Sequence, residues 1–342
     1  MAPSGRERQL ILFAVAALAG GVVLLWTLYL IASVLLVVYV SGLLAVGFSP
    51  IIRRFERGIG PRRRVLLPRW AAVLALYVGA IALLGLVLVI VLPPFVRQAT
   101  ALWLDLPLYL DRLQDTLIRY GITSGRWTSA DVLAQLPSPG FLAAQVMGAL
   151  KSVVGVAVTI VTVVILPYYL LLEADAIRDN FIKLFARAQR LVVARLTERV
   201  TIKVGAWLMG QLLLSGIMGA AVAIGLWLLG KPYFYVFGVL AALGSLVPII
   251  GPILAAAPAI LVAFSLSVRT GIFVASYIGV LQFLEGNLIV PRLMEKQVGV
   301  SAVTVIIALL IGTQLLGITG ALLAVPTAAI VQVLAQEYLE RD

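Results

Sequence analysis

The chain alternates long uncharged runs with short basic segments, and the length of each run decides what it can be. Leu10–Ile52, Trp70–Val96, Ser152–Leu172, Val204–Gly230, Pro232–Val268 and Gln297–Gln336 contain no Asp, Glu, Lys or Arg. An uncharged apolar stretch of roughly 18 residues or more is long enough to cross a bilayer as a helix. The pattern therefore predicts an all-α, polytopic helical membrane protein. Leu10–Ile52 suits two spans joined by a very tight turn near Trp26–Tyr29, where the aromatic side chains would sit at the interface.

Two runs are too long for one crossing. As a single straight helix Pro232–Val268 would extend about 54 Å, against a hydrocarbon core of about 30 Å. Pro248 and Pro252 each lack an N–H and clash with the preceding turn, and Gly251 between them tolerates unusual backbone angles. The expectation is two half-helices meeting at a break, with Pro258 a further irregularity. Near the C-terminus Leu315–Pro326 reads LLGITGALLAVP, against LVPIIGPILAAAP at Leu246–Pro258. Aligning Gly251 with Gly320 pairs Ile249 with Ile318, Leu254 with Leu323 and, with one residue of slip, Pro258 with Pro326. The last run should then divide at Gly317–Gly320. Paired Gly/Pro-interrupted apolar segments point to a transporter's binding site, because unwound backbone at membrane depth survives only where it lines a cavity or is buried in protein. The competing reading is that small and kinked residues simply let helices pack closely.

Charge orders the runs across the membrane. Arg53, Arg54, Arg57, Arg62, Arg63 and Arg64 follow the first run with only Glu56 opposing them, which makes this loop cytoplasmic by the positive-inside rule. Residues 1–96 form N-terminal membrane helices around it. Residues 97–148 balance acids against bases and carry Leu106, Leu110, Leu113 and Leu117 at helical spacing, so they read as an extracytoplasmic amphipathic helical insertion, packed on its own membrane domain or on a second subunit. Residues 149–203 supply a span and a basic interfacial helix, with Ile177, Phe181, Leu184, Phe185, Ala188, Leu191 and Val192 on one face. Residues 204–342 form the core with the broken helices. Both termini are expected in the cytoplasm.

Composition removes most chemistry. The 342 residues include no Cys and no His, so there is no thiolate, no His-based metal site and no Ser-His-Asp triad. No GxxxxGK[ST] string occurs, which argues against ATP-driven transport. No enzyme activity, cofactor or metal site is expected. The formal net charge of +11 is concentrated between the apolar runs, as membrane topology alone would produce, so nucleic acid is not an expected partner. The partners are the lipid bilayer and a small polar solute, H+ or Na+.

One polar cluster falls inside an apolar segment. Tyr277–Lys296 reads YIGVLQFLEGNLIVPRLMEK, with Gln282 one turn before Glu285 and Asn287 just beyond it. An ionised carboxylate in hydrocarbon costs at least a few kcal/mol, so such a group faces a wet cavity, pairs with a cation or is protonated. Glu285, Gln282 and Asn287 are therefore candidate coordinating groups for a solute or ion, alongside the breaks at Pro248, Gly251 and Pro252 and at Gly317 and Gly320. The alternative for Glu285 is a structural bond near the cytoplasmic interface. Gln211 and Gln314 read as helix–helix contacts.

LVPIIGP, then QFLEGNLIVPRL, then GVSAVTVIIALLIGTQLLGITGALLAVP, together with the early SPIIRRFERG, resemble the bacterial autoinducer-2 exporter (AI-2E) family of membrane transporters. Pro248 and Gly251 match that family's PxxG break, and Glu285 and Pro291 match the E and P of its penultimate segment. The resemblance implies about eight membrane segments, two of them hairpin-like breaks, in the bacterial inner membrane, and a homo-oligomer, with a pentamer one size it allows. It further implies a secondary transporter exporting a small polar solute such as autoinducer-2, coupled to protons or Na+. The alternatives are a Na+(Li+)/H+ antiporter and an oligomeric scaffold or pore without coupled transport.

Overall fold

The computed structural model describes residues 5–57, 68–123, 128, 164–292 and 301–339. Among these residues every regular element is helical and no strand occurs. In chain order they are α1 (Gly5–Arg57), α2 (Arg69–Arg119), α3 (Leu166–Leu172), α4 (Ala174–Lys183), α5 (Arg190–Leu228), α6 (Phe234–Gly244), α7 (Ile250–Leu266), α8 (Val268–Leu284) and α9 (Ala302–Leu339). Five helical stretches are long and apolar enough to cross a membrane, within Leu30–Glu56, Arg69–Arg119, Arg187–Leu228, Val268–Ile289 and Val303–Glu337. Their outward faces carry many exposed Leu, Ile, Val and Phe side chains, as expected where lipid, not water, is the solvent.

Three boundaries differ from the sequence reading. No turn interrupts α1 at Trp26–Tyr29: the helix runs unbroken for 53 residues, about 80 Å. No Pro lies near Trp26, the Gly20–Gly21 pair is taken up within the helix, and run length by itself cannot place a reversal. The stretch of α1 long and apolar enough to cross is Leu30–Glu56; a helix that crossed once would put its two ends on opposite sides of the membrane. Likewise α2 continues through residues 96 and 97 despite Pro93, Pro94 and Pro107 within it. The basic connector is also divided. It ends as α4 and a short 3-10 turn at Arg187–Gln189, and residues from Arg190 onward are already the first turns of α5. The Ile177, Phe181 and Leu184 side chains of the predicted interfacial face remain exposed.

α5 organises the packing. It is 39 residues long, about 58 Å, and small residues let neighbours approach it: a Cβ on Gly205 would crowd Pro50 of α1, and one on Gly219 would crowd Ala242 of α6. Toward its C-terminal end Val222 and Leu226 share a core with Val236 and Phe237 of α6, Ala259 and Val262 of α7 and Val274 and Ile278 of α8, closed by Phe95, Leu102 and Tyr109 of α2. Leu102 and Tyr109 of the amphipathic half of α2 thus pack on the helices of this core, which the predicted stripe Leu106, Leu110, Leu113 and Leu117 does not join. Tyr109 and Asp105 there both bond the hydroxyl of Tyr233, at 3.2 and 2.5 Å.

At the opposite end the basic residues are structural as well as topological. Arg69 donates to the Leu171 carbonyl through Nε at 3.1 Å and Nη2 at 2.9 Å, and it meets Asp175 and Glu56 through Nη1. Arg53 reaches Asp175 at 3.7 Å. Arg54 is exposed, while Arg62, Arg63, Arg64 and the Arg57 side chain lie outside the described residues.

The chain has no native Cys, so single cysteines report topology directly. With a membrane-impermeant maleimide, Arg6→Cys and Phe55→Cys should label from opposite sides of the membrane. Labelling of both from one side would restore the two-span reading of α1.

Candidate functional site

Each of the two long apolar runs folds back on itself. In the first, α6 stops at Gly244 and α7 begins at Ile250. Pro248, Ile249 and Ile250 form a γ-turn, in which the Ile250 N–H donates to the Pro248 carbonyl at 2.8 Å and Ile249 takes φ 68°, ψ −63°. Positive φ is costly for a β-branched residue and persists only where surroundings impose it. What imposes it is the closeness of the two arms: a Cβ on Gly251 would collide with the carbonyl oxygen of Gly244. In the second run α9 reverses at Gly317, with φ 59° and ψ −136°, and a Cβ on Gly320 would collide with the carbonyl of Gly312.

The two hairpins are built alike. Gly244 and Gly312 each precede by five residues the positive-φ position, Ile249 or Gly317. Each inner glycine is followed four residues later by an alanine, Ala255 or Ala324, near the outer glycine. The pairing of Gly251 with Gly320 is therefore a structural equivalence. Between outer and inner glycine the second hairpin has one residue more, in the turn; the slip at Pro258 and Pro326 is separate and lies beyond the inner glycine, where the second segment is one residue shorter.

Their directions are opposed. Hairpin one enters beside the C-terminal end of α5 and brings Ser245 level with Gln211. Hairpin two has Glu337 within 3.5 Å of Arg199 near the other end of α5, Leu323 in one core with Val204, and Val325 and Ala329 against Trp207. Val247, in the turn of hairpin one, packs on Leu309, Ala321 and Ala324 of hairpin two. The turn of hairpin one thus meets the arms of hairpin two near the middle of α5, while Leu315 and Ile318 beside the second turn stay exposed.

Backbone bonding at the first break is closed by side chains from both sides. Ser245, Leu246 and Val247 donate back to Ala241, Leu243 and Gly244, and Gly251 donates to Val247 at 3.1 Å. The Ser245 carbonyl accepts from Nε2 of buried Gln211, which is thus the helix–helix contact expected of it. From α8, Gln282 donates to the Pro252 carbonyl at 3.3 Å. Ser245, Pro252 and Gln282 line a small, largely apolar cavity with Met218, Ala256 and Ile278.

The remaining candidates disperse. Glu285 opens a π-helical segment, Glu285–Ile289, one turn beyond Gln282, half-buried and outside the cavity lining. Asn287 is exposed and donates to the Phe283 carbonyl of its own helix at 2.8 Å. Pro291 follows the π segment, half-buried; Pro258 lies inside α7; Pro326 is fully buried in the returning arm of hairpin two. Among the described residues no group of three or more acids could hold a metal ion. Two residues that sequence reasoning passed over lie on the Gln211 face of α5. Trp207 and Ser215, one turn to either side, are 5% and 7% exposed, and Trp207 Nε1 and Ser215 Oγ have no hydrogen-bond partner among the described residues. Four-residue spacing on one apolar helix was the available signal.

Comparison with known proteins places this geometry. The profile of the AI-2E family transporters matches residues 14–340. YrrI of Bacillus subtilis (strain 168) is 26% identical over 281 residues, covering 80% of this chain and 79% of that protein. YueF of the same strain is 26% identical over 308 residues, 86% of this chain and 81% of that protein. The AI-2 transport protein TqsA of Escherichia coli (strain K12) is 27% identical over 230 residues, 67% of this chain and 65% of that protein. The chain belongs to the AI-2E family and is a membrane transporter.

Loss of the Gln211 amide would strand the Ser245 carbonyl at membrane depth. Gln211→Leu should lower the unfolding free energy by about 1–3 kcal/mol, read as a lower melting temperature in detergent. An unchanged melting temperature would show that the break is satisfied without Gln211.

Proposed function

We propose that this AI-2E family transporter carries a small polar solute, autoinducer-2 or a molecule like it, out of the cell by moving two opposed hairpins against α5. The observation that carries the reading is the contact of the first hairpin's turn with the arms of the second midway along α5. Helices broken near the bilayer midplane, related by opposite direction of entry, are how secondary transporters hold a solute and expose it to each side in turn. The name of the relative TqsA supports autoinducer-2 as the first solute to try.

In this reading Gly244–Gly251 and Gly312–Gly320 keep each hairpin a rigid unit, because the contacting backbones leave no space for adjustment. Motion then falls on the contact between hairpins. Glu285 is the coupling group: its π-helical turn sits one turn from Gln282, which braces the first break, and π turns recur at functional positions in helices. A proton or Na+ taken up at Glu285 would shift the turn and, through Gln282, the hairpin. The inner membrane and a homo-oligomer, a pentamer included, belong to the same proposal.

Purified protein in proteoliposomes tests it. Autoinducer-2 flux should saturate and should accelerate when a proton or Na+ gradient is imposed. Glu285→Gln, which removes the charge with little change of shape, should abolish that acceleration and leave downhill flux within about two-fold of wild type, since uncoupled passage uses the same hairpins. Ion flux without solute flux would instead favour Na+(Li+)/H+ exchange. Absence of both from well-inserted protein would favour a scaffold.

A further inference from the structure

One helix face is unusual for its depth. Trp207, Gln211 and Ser215 recur every fourth residue along the middle of α5, each almost fully buried. Gln211 has its partner in Ser245. Trp207 Nε1 and Ser215 Oγ have none, although a buried polar group without a partner costs about 1–3 kcal/mol. Trp207 packs on hairpin two, whereas Ser215 lies toward the part of α5 that hairpin one contacts. Trp207 stands against Val305, Val325 and Ala329, residues from both arms of hairpin two. Ser215 follows Gln211 by one turn toward Gly219, whose own contacts are with α6 of hairpin one.

We propose that this face of α5 is the solute-binding track, with Trp207 as its station against hairpin two and Ser215 as its station against hairpin one. The Gln211 bond to Ser245 closes the passage between them. Movement of either hairpin would uncover one station while the other stays covered. Trp207 Nε1 can only donate, and the Ser215 hydroxyl can donate or accept, so the ligand presents oxygen acceptors. No formal charge stands on Trp207, Gln211 or Ser215, nor on Ser245 and Gln282 beside the break. An ion at that depth would lack a counter-charge. The track therefore takes a small neutral solute bearing hydroxyl or carbonyl oxygens. This rests on the transporter reading, and it moves solute contact away from Glu285, which is left for coupling.

Access to the track is measurable without any solute. In the Cys-free chain, Ser215→Cys should react with 2-aminoethyl methanethiosulfonate in membranes. Ser265→Cys should stay unmodified, because Ser265 is equally buried but bonded to the Val262 carbonyl within α7. In proteoliposomes, Trp207→Phe and Ser215→Ala should each raise the KM for autoinducer-2 by about five- to ten-fold, the loss of one hydrogen bond, with little change in kcat. Neither should lower the melting temperature. Inert Ser215→Cys would overturn the track. So would unchanged KM in both variants, whether or not Ser215→Cys reacts, since water alone would then visit the face. Failure of wild-type flux with a reactive Ser215→Cys would count against the solute reading alone.

Discussion

A helix broken inside a membrane has to satisfy its backbone without water, and the core of this protein is arranged around that requirement. At the first break the turn itself answers most of the freed groups, Pro248 and Pro252 remove two donors, and Gln211 takes the Ser245 carbonyl. The arms of each hairpin then lie so close that only glycine fits at Gly251 and Gly320. Close arms bury the turn, and a buried turn needs the side chain of α5. Hence α5, not the hairpins, has the most neighbours to hold in register, and its own glycines give them room.

Opposite entry gives the arrangement its use. If both hairpins entered from one end of α5, their tips would lie side by side and open together. Entering from both ends, they meet tip to side through Val247, so each can shield the junction from one face of the membrane. Hairpin one is also held at its base, where Asp105 and Tyr109 of α2 bond Tyr233 at the start of α6.

Much of this was legible in the sequence because it follows from run length and from Pro and Gly chemistry. Runs of the length of Pro232–Val268 and Gln297–Gln336 cannot be single straight spans, and Pro248, Gly251, Gly317 and Gly320 mark where they fail. The second alignment, from Gly244 to Gly312, was hidden because it is held by a contact across each hairpin, not by local spelling. Trp26–Tyr29 misled for the opposite reason: total apolar length says how much helix exists but not where it reverses. The polar cluster was read as one group from its spacing on one strip of chain. In the structure Gln282, still on the α-helix, turns to Pro252, Glu285 opens a π turn, and Asn287 within it bonds its own helix, since a π turn rotates the residues after its start off the register that α-helical spacing assumes. Trp207 and Ser215 were unremarkable until burial showed that their polar atoms had no partner.

In this state the turn of hairpin one rests on the arms of hairpin two through Val247, and in the proposed cycle the two must part for solute to pass. The most direct measurement is oxidative cross-linking in the Cys-free chain, pairing Val247→Cys in turn with Leu309→Cys, Ala321→Cys and Ala324→Cys, with autoinducer-2 flux followed before and after reduction. At least one pair should cross-link, and that bond should stop flux until it is reduced. Full flux through a cross-linked protein, or no cross-link from any pair, would mean that the hairpins need not part at Val247.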